Sequence, residues 1–168
     1  MALHEQSVGK SDEWYTPRFV FDALGETFDL DVAHPGAGAL TFYGQPVDWV
    51  PAAQVISHDS LALPWTGFLW MNAPFGRRMG LVPWLERFMA HADGIALTPD
   101  RTSCPWWQRF SRDADAVLFW APKIKFVPGP NTVESSPAQG TTLFAKGPRG
   151  VEALRRAARG GHGVVLAP

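Results

Sequence analysis

Short apolar runs alternate with amphipathic segments along most of this 168-residue chain, and this alternation constrains the fold more than any other feature. Runs such as GFLWM and GIALTP are bounded by Gly, Pro or polar residues, which is typical of buried strands. Segments such as LVPWLERFMAHA carry apolar residues at helical spacing. Strands that alternate with helices predict an α/β domain with a largely parallel central sheet.

Breaking and capping residues place the individual elements. Pro17 suits the first position of a helix over RFVFDAL that ends at Gly25, and Pro83 lies near the start of a second helix. Two more helices are expected over PWWQRFSRD and GVEALRRAARG. The expected strands are TFDLDV, QVISHD, GFLWM, GIALTP, AVLFW, KIKFV, TTLFAKG and GHGVVLAP. Residues 1–13 are expected to form a flexible arm, residues 14–168 a single domain, and PGPNTVESSPAQG a loop without core-forming content.

Composition excludes several classes of protein. The single cysteine, Cys104, excludes an intramolecular disulfide and suits a reducing compartment. The polar N-terminus lacks the apolar core of a signal peptide, and no apolar run is long enough to span a bilayer. We therefore expect a cytoplasmic protein that has no membrane partner.

Charge is divided unevenly along the chain. Residues 1–71 carry nine acidic and two basic side chains, whereas residues 72–168 carry seven acidic and thirteen basic ones. This asymmetry predicts a basic surface for a polyanion, unless folding interleaves the two halves and blurs the poles.

Several expected strands end in groups that can bind a ligand. In open α/β sheets, ligands bind beyond the carboxyl ends of the strands. Asp31 and Asp59 lie at the ends of such strands and can accept hydrogen bonds from ribose hydroxyls, although an Asp in this position can equally cap a helix. Gly36 and Gly38 can let the backbone approach a ligand closely, or can simply form a turn.

The sharpest motif is NAPF, residues 72–75, at the end of the strand GFLWM. The side-chain oxygen of Asn72 and the carbonyl of Ala73 can converge on an amino group, with Pro74 restricting the loop. Phe75 can stack on a nucleobase. The alternative is a turn closed by the Asn72 side chain, with Phe75 in the core.

NAPF resembles the [DNS]-P-P-[YF] motif of the amino-methyltransferases that modify adenine N6 or cytosine N4 in DNA. The chain further resembles the short phage and prophage DNA N-6-adenine methyltransferase family over residues 12–147. The stretches that carry the resemblance, in order, are DEWYTP, FDLDVA, HDSLALPWTGFLWMNAPFGR, PWLERF, LTPDRTSCPWWQRF, PKIKFV and TTLFAKG. Ala73 departs from the usual second proline of that family, and the glycine-rich signature after the first strand is poorly kept.

The resemblance implies a Rossmann-like methyltransferase fold that uses S-adenosylmethionine. It assigns catalysis to residues 72–75, with Asn72 and the Ala73 carbonyl binding N6 of an adenine flipped out of double-stranded DNA. The implied cofactor-binding residues are Tyr15, Thr16, Pro17, Asp31 and Asp59. The candidates for contacts to DNA phosphates are Arg77, Arg78, Arg101, Lys123 and Lys125. No metal is required, and a phage-encoded enzyme would work in the cytoplasm of the host bacterium.

Two alternatives remain open. Ala73 and the weak glycine signature also suit a nucleic-acid-binding module of the same fold with impaired catalysis. The same amine-binding logic also applies to cytosine N4 and to RNA.

Overall fold

The structure is a computed structural model that describes residues 14–34, 41–42, 45–46, 50–74, 80–128 and 139–167. Its helices are α1 (Arg18–Leu24), α2 (Val82–His91), α3 (Pro105–Asp113) and α4 (Gly147–Arg159), with a 3-10 turn at Ser60–Ala62. Its strands are β1 (Trp14–Tyr15), β2 (Phe28–Asp31), β3 (Thr41–Phe42), β4 (Gln45–Pro46), β5 (Ala52–Val55), β6 (Leu69–Met71), β7 (Gly94–Pro99), β8 (Ala116–Phe119), β9 (Val127–Pro128), β10 (Thr141–Lys146) and β11 (Val164–Leu166).

The central sheet has seven strands in the order β11-β8-β10-β7-β6-β2-β5. Strands β5, β2, β6 and β7 are parallel, whereas β10 is antiparallel to both β7 and β8, and β11 is antiparallel to β8. The predicted α/β class is confirmed, and the expectation of a largely parallel sheet is met in part. Strands β5, β2, β6, β7 and β8 run in one direction, whereas β10 and β11 run in the other, so the sheet is mixed. Between β8 and β10 the described residues contain β9 but no helix.

Helices cover both faces of this sheet. On one face, α1 and α4 contribute Val20, Leu24 and Leu154 to a core that includes the strand residues Ile95 and Leu97. On the other face, α2 and α3 contribute Leu85, Phe88, Trp107 and Phe110, which pack with Ala96 and other strand residues. Alternate residues of β7 thus enter opposite cores, which follows from the two-residue period of a strand.

Local signals placed most helix ends correctly. Gly25 ends α1 in the left-handed conformation (φ 62°), and its N–H bonds to the Phe21 carbonyl at 2.9 Å. Pro83 lies in the first turn of α2, as expected. The strand expected over QVISHD is instead β5, Ala52–Val55, so residues 56–59 are free to leave the sheet and form a loop.

The strand expected over KIKFV, residues 123–127, is mostly wrong. Only Val127–Pro128 forms a ladder, and it pairs with Trp14–Tyr15 outside the central sheet. The preceding segment still alternates, with Ile124 and Phe126 buried. The expected arm over residues 1–13 and most of the PGPNTVESSPAQG loop lie outside the described residues. None of the helices in the described ranges is long and apolar enough to cross a membrane.

Candidate functional site

A cavity of about 620 Å³ lies beyond the carboxyl ends of β2 and β6. From β2 the chain first adds β5 on one side and then adds β6 on the other, so the connections diverge at this point. Such a divergence opens the crevice in which α/β sheets bind ligands, and the volume suits a small organic molecule. The lining residues are Trp14, Tyr15, Thr16, Asp31, Val32, Ala33, His34, Val50, Ile56, Ser57, His58, Asp59, Ser60, Leu61, Ala62, Trp70, Asn72, Pro74 and Trp84.

Asn72 follows the last residue of β6 and lines this cavity. Its side-chain Nδ2 donates hydrogen bonds to the Trp14 carbonyl at 3.1 Å and to Thr16 Oγ1 at 3.2 Å. Because a carbonyl is only an acceptor, the group that faces Trp14 must be the NH₂ end of the amide. The other end, Oδ1, is an acceptor that makes no hydrogen bond within the described part of the chain.

The N-terminal segment that holds Asn72 is itself anchored. Trp14 and Tyr15 pair with β9, and Thr16 is 4% exposed. Pro17 precedes α1, and its carbonyl accepts the Val20 N–H at 3.1 Å. The structure thus brings Tyr15, Thr16 and Asn72 to one cavity across more than fifty residues of sequence, whereas Pro17 is buried and does not line it.

Asp31, the last residue of β2, lines the same cavity although its side chain is almost fully buried. Burial raises the pKa of its carboxyl from the ordinary value of 3.8 to about 7, and the Ala33 N–H, which donates to Oδ1 at 3.0 Å, opposes that rise. A cationic or hydroxyl-bearing ligand beside this group would stabilise the charged form and lower the pKa again.

Asp59 lines the cavity from the loop between β5 and β6. Its backbone is left-handed (φ 52°), a conformation uncommon outside glycine, and its side chain does not cap the 3-10 turn that follows. Trp65 Nε1 donates to the Ser60 carbonyl at 3.0 Å, and Arg87 donates to the carbonyls of Leu61 and Leu63. These bonds hold the loop that carries Asp59, and Asp59 itself lines the cavity.

The cavity is acidic and aromatic. Among its described lining residues are two carboxylates and two histidines, but no Lys or Arg. Trp14, Trp70 and Trp84 contribute indole rings, and Trp84 stacks on Trp65 with 6.1 Å between centroids. Carboxylates and indole rings favour ligands that carry a positive charge or a flat ring.

The remaining residues of NAPF do not all lie at the cavity. Pro74 lines the cavity, but Ala73 does not, because its side chain is 2% exposed and packs in the core formed with α2 and α3. Phe75, Arg77 and Arg78 lie outside the described residues, as do Gly36 and Gly38.

Three basic candidates lie outside the cavity. Arg101 follows β7, and Lys123 and Lys125 follow β8, whose end at Phe119 lies at the same edge of the sheet as the end of β7. Both lysines are exposed, and Lys125 lies just before the strand that pairs with Trp14–Tyr15. Elsewhere the two charged halves of the chain interleave, since Arg149 and Arg156 both pair with Glu26, at 2.9 and 3.2 Å.

Sequence reasoning missed His34, Trp84 and Trp14. All three line the cavity, and His34 is 6% exposed. The position of His34 three residues after Asp31 was a usable signal, because it continues the strand-end loop. Trp84 carried no local signal, since its place in α2 suits a core residue equally well.

Within the described residues no group of three or more His, Cys, Asp or Glu side chains is arranged to hold a metal ion. Comparisons of the chain with known family models, curated proteins and solved structures find no match.

Proposed function

We propose that this protein transfers a methyl group from S-adenosylmethionine to the exocyclic amine of adenine in DNA. The observation that carries the proposal is the fixed Asn72 amide, whose NH₂ end bonds to Trp14 and Thr16 so that Oδ1 is left as an acceptor at the cavity. The resemblance of NAPF to amine-binding motifs supports the same role, and a Rossmann-like methyltransferase fold accords with the α/β sheet.

An acceptor at this position suits a nucleophilic amine. Asn72 Oδ1 would accept one N–H of the base and would stabilise the positive charge that develops on the nitrogen as it is alkylated. That interaction strengthens as the charge grows, so it would raise the rate more than the affinity. Because the amide is held by two bonds, it would need little reorganisation during the reaction.

The lining residues fit the proposed cofactor. When bound, S-adenosylmethionine supplies an activated methyl group on a sulfonium cation. Asp31 and Asp59 would accept hydrogen bonds from its hydroxyl or ammonium groups, and the indoles would contact its flat base.

The charges outside the cavity suit a nucleic acid. Lys123, Lys125 and Arg101 follow strand ends at the edge of the sheet where the cavity opens. Phosphate contacts at these side chains would position a duplex while the target base leaves the stack, because its amine is inaccessible for in-line attack inside a duplex.

The test is nucleoside mass spectrometry. Unmethylated synthetic DNA is incubated with the protein and S-adenosylmethionine, and N6-methyladenine, N4-methylcytosine and methylated ribonucleosides from a parallel RNA sample are quantified. We expect N6-methyladenine from DNA. Methylation of cytosine or of RNA alone would replace the proposed substrate, and no product from either polymer would reject the activity.

Asn72→Ala sharpens this test. We expect the methylation rate to fall at least about a hundredfold, because an acceptor that acts on the transition state is lost. Cofactor affinity by isothermal titration calorimetry and the melting temperature should change little. A variant that methylates at the wild-type rate would exclude Asn72 as the amine acceptor.

A second candidate function is supported by Ala73. Its side chain lies in the core and the residue does not line the cavity, so the second acceptor expected from NAPF is not among the lining groups. This favours a nucleic-acid-binding module with impaired catalysis. Calorimetry separates the two functions, since the binding module would release no heat with S-adenosylmethionine at high micromolar concentration.

A further inference from the structure

The contact between Thr16 and Asn72 carries an inference that deepens, and rests on, the proposed function. We propose that Thr16 is a positioning residue that sets the orientation of the Asn72 amide. The resemblance assigns Thr16 to the cofactor instead. The two assignments predict different effects of removing the Thr16 hydroxyl group: a positioning role changes the Asn72 amide, whereas a cofactor-binding role weakens cofactor binding.

The two acceptors on the Asn72 amide define its orientation together. Nδ2 has two N–H bonds, and they meet the Trp14 carbonyl at 3.1 Å and Thr16 Oγ1 at 3.2 Å. Rotating the amide by half a turn would bring Oδ1 against the Trp14 carbonyl, which has no proton to donate. The opposite orientation would leave these two oxygens facing each other without a hydrogen between them.

Thr16 is buried, so a water molecule cannot readily take the place of its hydroxyl group as the acceptor for Asn72. Its residue is 4% exposed, and it lies between β1, which is paired to β9, and Pro17, which begins the turn into α1. Its branched side chain has few rotamers, so Oγ1 is held near Asn72 at little entropic cost. Asn72 itself is only half-buried, and its backbone leaves the sheet after Met71. Without Oγ1, a single bond to Trp14 would orient the amide.

The experiment compares Thr16→Val, which has nearly the same shape but no hydroxyl, with Thr16→Ser, which restores the hydroxyl. The first readout is the pair of Asn72 side-chain amide protons in the NMR spectrum of the cofactor-free protein, assigned by their loss in Asn72→Ala. We expect one of the two resonances to shift in Thr16→Val and to return close to its wild-type position in Thr16→Ser. This measurement requires no catalytic activity.

The second readout is steady-state kinetics with DNA, together with the cofactor Kd by calorimetry. We expect kcat of Thr16→Val to fall about tenfold, which corresponds to about one lost hydrogen bond, with an unchanged cofactor Kd. Thr16→Ser should recover most of that loss. A cofactor-binding role would instead raise Kd in Thr16→Val, and a merely structural role would lower the melting temperature of both variants without moving the Asn72 resonances.

Unchanged Asn72 resonances in a folded Thr16→Val protein would overturn the positioning role whether or not the protein methylates DNA. If those resonances shift in Thr16→Val but the wild-type protein does not methylate DNA, Thr16 orients Asn72 and only the proposed function is rejected. A raised cofactor Kd in Thr16→Val, with the Asn72 resonances unchanged, would show that Thr16 binds the cofactor and does not orient Asn72.

Discussion

Replacing Asp31 by Asn should change how stability depends on pH, because this carboxyl is almost fully buried at the end of β2. Burial raises its pKa from 3.8 to about 7, whereas in the unfolded chain it would titrate near its ordinary value. Between these values the folded protein binds a proton that the unfolded chain releases, so stability falls as pH rises. The contribution is fully present below about pH 4 and is lost as pH rises through 7.

The magnitude follows from the two pKa values. Their difference corresponds to about 4 kcal/mol for the whole titration, and to about 2.5 kcal/mol between pH 5 and pH 8. The amide introduced by Asp31→Asn would keep the acceptor for the Ala33 N–H but would add a buried NH₂ donor, at a pH-independent cost of about 1–3 kcal/mol. The diagnostic quantity is therefore the change with pH in the stability difference between Asp31→Asn and the wild type.

Urea denaturation of the ligand-free proteins at pH 5 and pH 8 measures that quantity. The stability of Asp31→Asn relative to the wild type should rise by about 2.5 kcal/mol from the lower pH to the higher. Asp22→Asn is a matched control on the exposed face of α1, where its side chain is 68% exposed, and should alter stability by less than about 0.5 kcal/mol at either pH. A pH-independent difference for Asp31→Asn would refute the reasoning.

Two further predictions test the cavity and its rim. Asp59→Gly removes the carboxylate but tolerates the left-handed backbone at φ 52°, so calorimetry should show cofactor binding weakened by about 1.5–3 kcal/mol; wild-type affinity would make Asp59 a turn residue only. The double substitution Lys123→Ala and Lys125→Ala removes two exposed charges and leaves the buried Ile124 in place. It should reduce the slope of log affinity for duplex DNA against log salt by about 2, equally for all sequences, and an unchanged slope would place the DNA elsewhere.

Local sequence predicted the elements well wherever a residue acts on its own backbone. Gly25 ends α1 because only a left-handed residue closes that turn, and Pro83 begins α2 because proline suits a first helical turn. Strand identity followed from apolar runs, and the buried strands β6 and β7 are found where those runs are. The direction of a strand within the sheet could not be predicted in this way. The apolar pattern of β10 is the same whether the strand runs parallel or antiparallel to β7.

The candidate site divides in the same way. The sequence by itself marked Asp31 and Asn72, which lie at the ends of β2 and β6, because an apolar run that stops at a polar residue is a local feature. It also marked Asp59, although that residue lies in the loop beyond β5 and not at the end of the strand. Only the tertiary structure brought Trp14 and Thr16 to the Asn72 amide, placed His34 and Trp84 at the cavity, and packed Ala73 into the core. Those outcomes depend on which strands become neighbours, and pairing between residues more than fifty positions apart leaves no trace in the local pattern of either segment.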